Sequence, residues 1–173
     1  AHGAVLEIGI GTGRNLKYYD AHKIGCLYGL DPSLAWHPLA RRRLRHLPIK
    51  VEPLALSAEQ IPLEDQSIDT VVCTYTLCTI PDPLAALREF RRVLKPQGRL
   101  LFSEHGLAPD APVRRWQQRI EPWWKPLAGG CHLTRDVPTM LSEAGFSYGD
   151  LDRRYLKGPK PMTFNTRGIA TCN

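Results

Sequence analysis

The sequence predicts an α/β fold built on a doubly wound, mostly parallel sheet of seven strands, with an antiparallel last strand pair. Apolar runs of strand length alternate with segments of helix length, which is the pattern of a parallel sheet covered on both faces. The last two apolar runs have no helical segment between them, so we expect them to pair as antiparallel neighbours at one edge. The 173 residues predict a single domain, residues 1–173, with a tryptophan-rich insertion at about 107–133.

The strands are bounded by glycine, proline and acidic residues. They are predicted at 4–10, 24–31, 49–56, 67–77, 98–106, 148–156 and 162–171. Pro53 lies in the third strand and cannot donate a backbone hydrogen bond, which favours a position near a sheet edge.

Helices are predicted at 14–20, 32–47, 82–95 and 134–146. The third has the clearest signals, because Asp82 is a good N-cap and Pro83 suits the first helical position. In the second helix Pro38 predicts a kink or a break. Thr134 is the expected cap of the last helix, and Gly145 its end.

The segment at about 107–133 is predicted to be irregular, since it holds Trp116, Trp123, Trp124 and several prolines. Irregular segments of that length are often functional. Three interpretations remain open: a lid over an apolar acceptor, an inserted pair of packed helices, and a contact with a membrane interface, where tryptophan is enriched.

Composition sets limits on the function. No apolar run is long enough to span a membrane, and the five cysteines follow no disulfide framework, which is typical of a cytoplasmic protein. There is no Cys-x-x-Cys pair and no His-x-x-x-His, so the spacing of these residues along the chain predicts no metal site. The net charge of +6 permits an acidic partner, although the short basic groups are typical of solvated surfaces. We expect further sequence to precede Ala1.

A glycine-rich turn, "VLEIGIGTG", follows the first strand. The dinucleotide pattern G-x-G-x-x-G would need glycine at Arg14, and no Gly-Lys pair completes a phosphate-binding loop. What remains is an acid, Glu7, two residues before the first of three alternating glycines. A carboxylate there would repel a pyrophosphate but would attract a cationic ligand, and S-adenosylmethionine carries an ammonium and a sulfonium.

The second strand ends on an acid, Asp31, followed by Pro32. An acid at this point accepts hydrogen bonds from ribose hydroxyls in nucleotide-binding sheets. The alternative is an N-cap for the next helix, and the two roles are compatible.

Four motifs together carry a family resemblance: "VLEIGIGTG", "LYGLDPS", "SAEQIPLEDQSIDTVVCTYTL" and "LREFRRVLKPQGRLLFSEH". The chain resembles the class I S-adenosylmethionine-dependent methyltransferases, which have a Rossmann-like fold, and most closely their small-molecule branch around the ubiquinone and menaquinone methyltransferases. The distal stretches "GGCHLTRD" and "YLKGPKPMTFNTRGIAT" are similar to methyltransferase-like proteins that include animal membrane-associated thiol methyltransferases.

The resemblance implies a set of cofactor-binding residues. The methionine end would lie against the glycine loop, the ribose at the end of the second strand, the adenine after the third strand, and the methyl group at the end of the fourth. In that order, the implied residues are Glu7, Gly9, Ile10, Gly11 and Gly13; Asp31 and Pro32; Ser57 and Ala58; Thr74 and Tyr75.

Methyl transfer needs alignment and exclusion of water, and a base only if the acceptor must lose a proton. His105, at the end of the fifth strand, is the first candidate base, the alternative being a structural histidine bonded to a neighbouring loop. Tyr75 is a candidate for orientation or proton transfer. His132 is a third candidate.

The predicted function is methyl transfer to a small, apolar acceptor through oxygen, sulfur or carbon. Two alternatives remain: a domain that binds S-adenosylmethionine without activity in this form, and an RNA- or membrane-surface-binding protein on the same fold. The expected location is cytoplasmic, and a position peripheral to a membrane stays open. The stretch 74–77 lacks the Asn/Asp-Pro-Pro-aromatic pattern of enzymes that methylate base amino groups, so no specific nucleic-acid partner is expected. Nothing in the sequence indicates the oligomeric state.

Overall fold

A mostly parallel sheet forms the centre of the computed structural model, which describes residues 1–33 and 37–172. The strands of this described part are β1 Gly3–Ile8, β2 Ile24–Leu30, β3 Val51–Leu54, β4 Ile68–Thr74, β5 Leu94–His105, β6 Phe146–Tyr148, β7 Asp152–Tyr155 and β8 Phe164–Cys172. The helices are α1 Pro38–Leu44, α2 Pro83–Val93, α3 Ala111–Leu127, α4 Val137–Glu143 and α5 Lys160–Thr163. The predicted α/β class is confirmed.

The strand order is β3-β2-β1-β4-β5-β8-β6, and β7 also pairs with β8. Strands β1 to β5 are parallel, whereas β8 is antiparallel to β5, β6 and β7. The chain starts in the middle of the sheet, runs outward to β3, and then crosses back to β4 beside β1. The strand order therefore reverses between β1 and β4, and their carboxyl ends form the crevice where doubly wound sheets bind ligands.

The core explains why β1 is a continuous apolar run. Val5, Leu6 and Ile8 are at most 1% exposed, because β1 is central and covered on both faces. Helix α2 buries Leu87 and Phe90 against the same sheet. Its start is as predicted, since Asp82 Oδ1 accepts the Ala85 N–H at 2.9 Å.

Several predicted bounds were wrong. The sixth strand is split into β6 and β7, which pair with different parts of β8, so the sheet has eight strands in the described residues. The segment 14–20 forms only a 3-10 turn at Leu16–Tyr18, and β5 begins directly after α2 instead of at Gly98. Helix α4 begins after Asp136 and not after Thr134, although Gly145 ends it with a positive φ of 82°.

In the described residues, the second predicted helix begins at Pro38, where a kink or a break was expected. The ring of Pro38 occupies the first turn of α1, where no backbone donor is needed, and His37 Nδ1 accepts the Leu39 N–H at 3.2 Å. The first part of that prediction, residues 34–36, lies outside the described residues.

The tryptophan-rich segment is not irregular, because most of it is α3, a helix of 17 residues. Pro122 and Pro126 lie inside this helix, and they are the reason why local signals argued against it. A buried side chain, Gln117, secures the helix by donating from Nε2 to the carbonyl oxygens of Gly106 at 2.9 Å and Pro161 at 3.0 Å. The tertiary hydrogen bonds of Gln117 therefore stabilise the helix in spite of the helix-breaking tendency of the two prolines.

Candidate active site

The glycine loop lies at the point where the strand order reverses, and its glycines have different structural roles. Gly9, Gly11 and Gly13 have φ values of 66°, 49° and 71°, a region that disfavours other residues. A Cβ on Gly9 would lie 2.6 Å from Thr76 Oγ1, and one on Gly13 would lie 2.6 Å from Leu16 Cδ1. A Cβ on Gly11 would have 3.7 Å to its nearest neighbour. The outer two glycines thus permit internal packing, while Gly11 faces open space.

That open space is a cavity of about 340 Å³ bounded by the loop and by the segment after β2, with residues Gly11, Thr12, Asp31, Ser33, His37 and Pro38. Asp31 Oδ2 accepts the Gly11 N–H at 3.1 Å, and Asp31 Oδ1 accepts the Ser33 N–H at 3.0 Å. Asp31 therefore fixes the loop and the turn through Pro32, and it does not cap α1, whose N-cap is His37.

Glu7 lies beneath the loop and is 2% exposed. Its oxygens accept hydrogen bonds from Asn15 Nδ2 at 3.1 Å and from Tyr19 OH at 3.0 Å. Burial raises the pKa of Glu7 to about 7, and the hydrogen bonds from Tyr19 and Asn15 oppose that shift. No Lys, Arg or His side chain of the described residues forms an ion pair with Glu7. The loop thus has a buried acid for which a cationic ligand would be the electrostatic partner.

Two residues of this network were not predicted from the sequence. Asn15 also donates to Thr74 Oγ1 at 2.9 Å, which joins the end of β4 to Glu7. Tyr19 completes the cover over the carboxylate. Their only signal was a position on either side of the short 3-10 turn that follows the glycine loop.

Ile10, Ser57 and Ala58, which were also predicted to bind the cofactor, make internal contacts. The side chain of Ile10 is buried in the core, and its N–H donates to the Leu30 carbonyl at 3.2 Å, so it supports the loop from below. Ala58 is buried, and the Ser57 hydroxyl donates to Glu59 Oε2. The Ser57 oxygen keeps accepting capacity, and its contact with adenine stays a prediction.

The end of β4 holds a strained residue at the predicted position of the methyl group. Tyr75 has φ 52°, which is rare for a residue with a side chain. Its N–H donates to the Ser103 carbonyl at 3.0 Å, and the next N–H, of Thr76, donates to Glu104 Oε1 at 2.8 Å. Glu104 is fully buried, and burial raises its pKa to about 7. These contacts with β5 hold the strained turn in place.

The Tyr75 side chain is 48% exposed, and its hydroxyl oxygen accepts from Asn165 Nδ2 at 3.1 Å. Asn165 is in turn oriented by the Ser103 hydroxyl, which donates to Asn165 Oδ1 at 3.4 Å. Because Asn165 Nδ2 can only donate, the Tyr75 O–H proton points elsewhere, and no side chain of the described residues accepts it. Asn165 comes from β8 and was not predicted.

His105 packs against Tyr75, with ring centroids 5.7 Å apart. Its Nε2 lies 2.8 Å from Cys131 Sγ, on the loop after α3. A hydrogen bond from Cys78 and the contact with His105 lower the pKa of Cys131 to about 4. Burial by itself would lower the pKa of His105, because it favours the neutral imidazole. The hydrogen bond with Cys131 and the attraction of its sulfur have the larger effect, so the pKa of His105 is raised. The structural alternative for His105, a bond to a neighbouring loop, is therefore realised. His132 instead pairs with Glu121 of α3, Nδ1 to Oε1 at 3.4 Å.

The fold and the loop together define a class of protein. A doubly wound sheet with a three-glycine turn at its switch point, one acid on β1 and one on β2, is a nucleoside-binding domain. The buried carboxylate beside the loop and the open face of Gly11 fit a ligand that is cationic next to its nucleoside. S-adenosylmethionine has that charge distribution.

Comparison with known proteins agrees with this class. Residues 6–102, more than half of the chain, match the family model described as a methyltransferase domain. The chain belongs to the S-adenosylmethionine-dependent methyltransferases. It is 38% identical over 164 residues to human thiol S-methyltransferase TMT1B, covering 92% of this chain and 64% of the relative. It is 28% identical over 176 residues to the yeast mitochondrial methyltransferase OMS1, covering 89% of this chain and 36% of that one.

Solved structures share the fold. A methyltransferase from Methanosarcina mazei superimposes with a TM-score of 0.77 at 22% identity, covering 98% of this chain and 92% of its own. A putative methyltransferase from Bacillus halodurans gives 0.76 at 19% identity, covering 96% and 89%. The chain spans between 62% and 64% of the length of the thiol S-methyltransferases that it matches.

Proposed function

We propose that the protein transfers the methyl group of S-adenosylmethionine to a small, apolar thiol. The observation that carries the proposal is the arrangement at the ends of β4 and β5. There an exposed, strained tyrosine after β4 packs against a half-buried histidine at the end of β5. The next residue, Thr76, donates from its hydroxyl to the carbonyl of Ile8, at the start of the glycine loop. The similarity to thiol S-methyltransferases, 36% to 38% identical, supports sulfur as the acceptor atom.

In this proposal the chain's own residues hold and orient the reactants. When bound, S-adenosylmethionine supplies an electrophilic methyl group on a good leaving group. Gly11 gives the backbone access to the cofactor, Asp31 accepts from the ribose, and buried Glu7 supplies negative potential at the cationic end. Tyr75 directs its unshared O–H proton towards the acceptor sulfur and so orients it.

A thiol suits a site with few bases. A free cysteine thiol has a pKa of about 8.5, so a fraction of it is ionised near neutral pH and only positioning is then required. His105 cannot take a proton at Nε2 while that atom contacts Cys131, so a role as general base would require Nδ1. Tyr75 is consequently the residue to which we assign acceptor orientation.

The test is a panel of acceptors with S-adenosylmethionine: small alkyl thiols, phenols and quinols, with products identified by mass spectrometry. A thioether is expected, and Tyr75→Phe should lower kcat about tenfold, in line with loss of one positioning hydrogen bond. Tyr148→Phe is the matched control, because its hydroxyl bonds the Pro138 carbonyl near the opposite end of β5 and β8. Methylation of phenols or quinols but of no thiol would contradict the thiol assignment.

We propose a second binding partner, an anionic membrane surface, which contacts an exposed face of α3. Trp116, Trp123 and Leu127 are 57%, 77% and 85% exposed and share one face of the helix, which Arg115 and Arg119 flank. In the described residues, no helix has the length and apolarity to cross a bilayer.

Vesicle flotation tests this partner. Binding to vesicles with anionic lipid is expected to exceed binding to neutral vesicles, and Trp123→Ser should reduce it severalfold. Leu39→Ser on α1 is the control, since Leu39 is also exposed. Equal flotation of both variants would refute a docking role for α3.

A further inference from the structure

Three sulfur and nitrogen ligands converge beside the candidate active site. The Sγ atoms of Cys78 and Cys131 and a ring nitrogen of His105 all lie within 4.8 Å of one another. They come from the loop after β4, the end of β5 and the loop after α3. Both cysteines are buried, with 3% and 4% exposure, and the histidine is partly buried.

Other hydrogen bonds hold the two cysteine-bearing loops in place independently of the three ligand side chains. The His132 N–H donates to the Cys78 carbonyl at 2.9 Å, which joins the two cysteine-bearing loops. Glu121 Oε2 accepts the N–H groups of Leu133 and Thr134, both at 2.8 Å, and so fixes the second loop to α3. The ligand atoms are therefore placed by a scaffold that exists before any ion binds.

The donor set selects the ion. Two thiolates and one imidazole suit a borderline-soft divalent cation and exclude the hard cations, which prefer oxygen. Two cysteines and one histidine are also a known ligand set of zinc sites that keep a fourth position for water or substrate.

We propose that Cys78, His105 and Cys131 form a Zn²⁺ site with an open fourth position. Tetrahedral zinc, with bonds of about 2.0–2.1 Å to nitrogen and 2.3 Å to sulfur, places its ligand atoms roughly 3.5–3.8 Å apart. The observed spread of up to 4.8 Å needs a small contraction, and the 2.8 Å contact between His105 and Cys131 must widen by less than about 1 Å. Rotations of the side chains supply movements of that size.

The expectation of no metal site rested on spacing along the chain. Cys78, His105 and Cys131 are 27 and 26 residues apart in sequence, so no local motif could reveal them. The fold of β4, β5 and α3 brings them together.

The position of the site suggests what occupies the fourth coordination place. His105 packs against Tyr75, so the ion would lie at the edge of the acceptor region. A thiol acceptor would displace the bound water and bind as a thiolate, releasing its proton to solvent, because a zinc-bound thiol is deprotonated. This step rests on the proposed function, whereas the metal site itself does not.

The first measurement is metal content of the whole chain, purified with reductant and without chelator, followed by Zn²⁺ affinity from competition with a chromophoric chelator. One equivalent of zinc per chain is expected. Cys78→Ser and Cys131→Ser should each weaken Zn²⁺ binding by more than about 100-fold. Loss of a residue that only hydrogen-bonds a metal ligand weakens metal binding by at most about that factor. Cys26→Ser, which removes a partly exposed thiol of β2, should leave the affinity unchanged.

Co²⁺ provides a readout that does not depend on variants or on activity. The unaltered chain should show the intense visible absorption of tetrahedral Co²⁺ together with thiolate-to-metal charge transfer. Titration with 2-mercaptoethanol should then strengthen the charge-transfer band as a third sulfur binds.

Several outcomes would overturn the site: substoichiometric zinc in the unaltered, reduced chain, octahedral Co²⁺ spectra, or equal affinities of Cys26→Ser and Cys131→Ser. A native disulfide between Cys78 and Cys131, with no zinc uptake after reduction, would do so as well. If zinc binds but no thiol is methylated, the metal site stands and the proposed function fails.

Discussion

Replacing Glu7 by glutamine should stabilise the protein while weakening its cofactor binding. Glu7 is 2% exposed, and burial raises its pKa from 4.5 to about 7. A carboxyl whose pKa is higher in the folded than in the unfolded state contributes stability below pH 4.5, and that contribution is lost as the pH rises through 7. At about 1.4 kcal/mol per pKa unit, ionisation at pH 8 costs about 3 kcal/mol of unfolding free energy.

Glu7→Gln removes that cost but keeps the shape of the side chain. The amide oxygen can still accept a hydrogen bond from Asn15 or from Tyr19, though not from both in the present geometry. Loss of the other bond reduces the gain in unfolding free energy by about 1 kcal/mol. We expect the variant to be about 2 kcal/mol more stable than the unaltered protein at pH 8. At pH 5, where Glu7 is protonated in the fold, the gain should disappear.

Urea unfolding at pH 5 and pH 8 measures the difference, and calorimetric titration with S-adenosylmethionine measures the cost in affinity. Binding by the unaltered protein should weaken as the pH falls below about 7, and Glu7→Gln should bind at least tenfold more weakly at pH 8 with little pH dependence. Glu143→Gln, at an exposed acid of α4, is the control for a simple change of charge. A stability difference that is equal at both pH values would refute the reasoning, because ionisation of Glu7 would then not be its cause.

Four further variants test the loop and the core. Gly9→Ala should destabilise the fold by more than about 1 kcal/mol in urea unfolding, because its Cβ would lie 2.6 Å from Thr76 Oγ1 at a positive φ. Gly11→Ala, with space around its Cβ, should cost less stability but lower cofactor affinity in calorimetry, and the reverse ranking would contradict the assignment of roles. Asp31→Ala should weaken S-adenosylmethionine binding at least tenfold, and unchanged affinity would exclude it from the ribose site. Phe90→Ala should cost about 3–5 kcal/mol in urea unfolding, since Phe90 is fully buried.

Local chemistry made part of this fold predictable. The pair Asp82 and Pro83 begins α2 as expected, because capping and the fixed φ of proline act within a few residues. The segment of α3 was predicted to be irregular, with inserted helices as one interpretation, because Pro122 argues against a helix locally. The contacts of Gln117 that stabilise the helix reach Gly106 and Pro161, and Pro161 is far from it in sequence. The local sequence shows the cost of a proline within a helix. It carries no information on the distant contacts of Gln117.

The same distinction between local signals and long-range contacts applies to the candidate site. The glycine loop and Asp31 occupy consecutive strand ends, so their proximity follows from parallel topology. Asn165 and Cys131 come from β8 and from the loop after α3, and they reach Tyr75 and His105 only through pairings that span up to 90 residues. The closeness of the glycine loop and Asp31 could therefore be predicted from the sequence, whereas the contacts of Tyr75 with Asn165 and of His105 with Cys131 could not.

The turn that carries Tyr75 is built at a cost in stability. Tyr75 has an unfavourable φ of 52°, and Glu104 beneath it is a fully buried acid with a raised pKa. Each feature costs stability, and the core packing of the sheet offsets that cost. The buried carboxylate accepts the Thr76 N–H and so holds the tyrosine turn in one geometry. The strain and the buried carboxyl then have a common result: an exposed phenol that is held against His105 at the ends of β4 and β5.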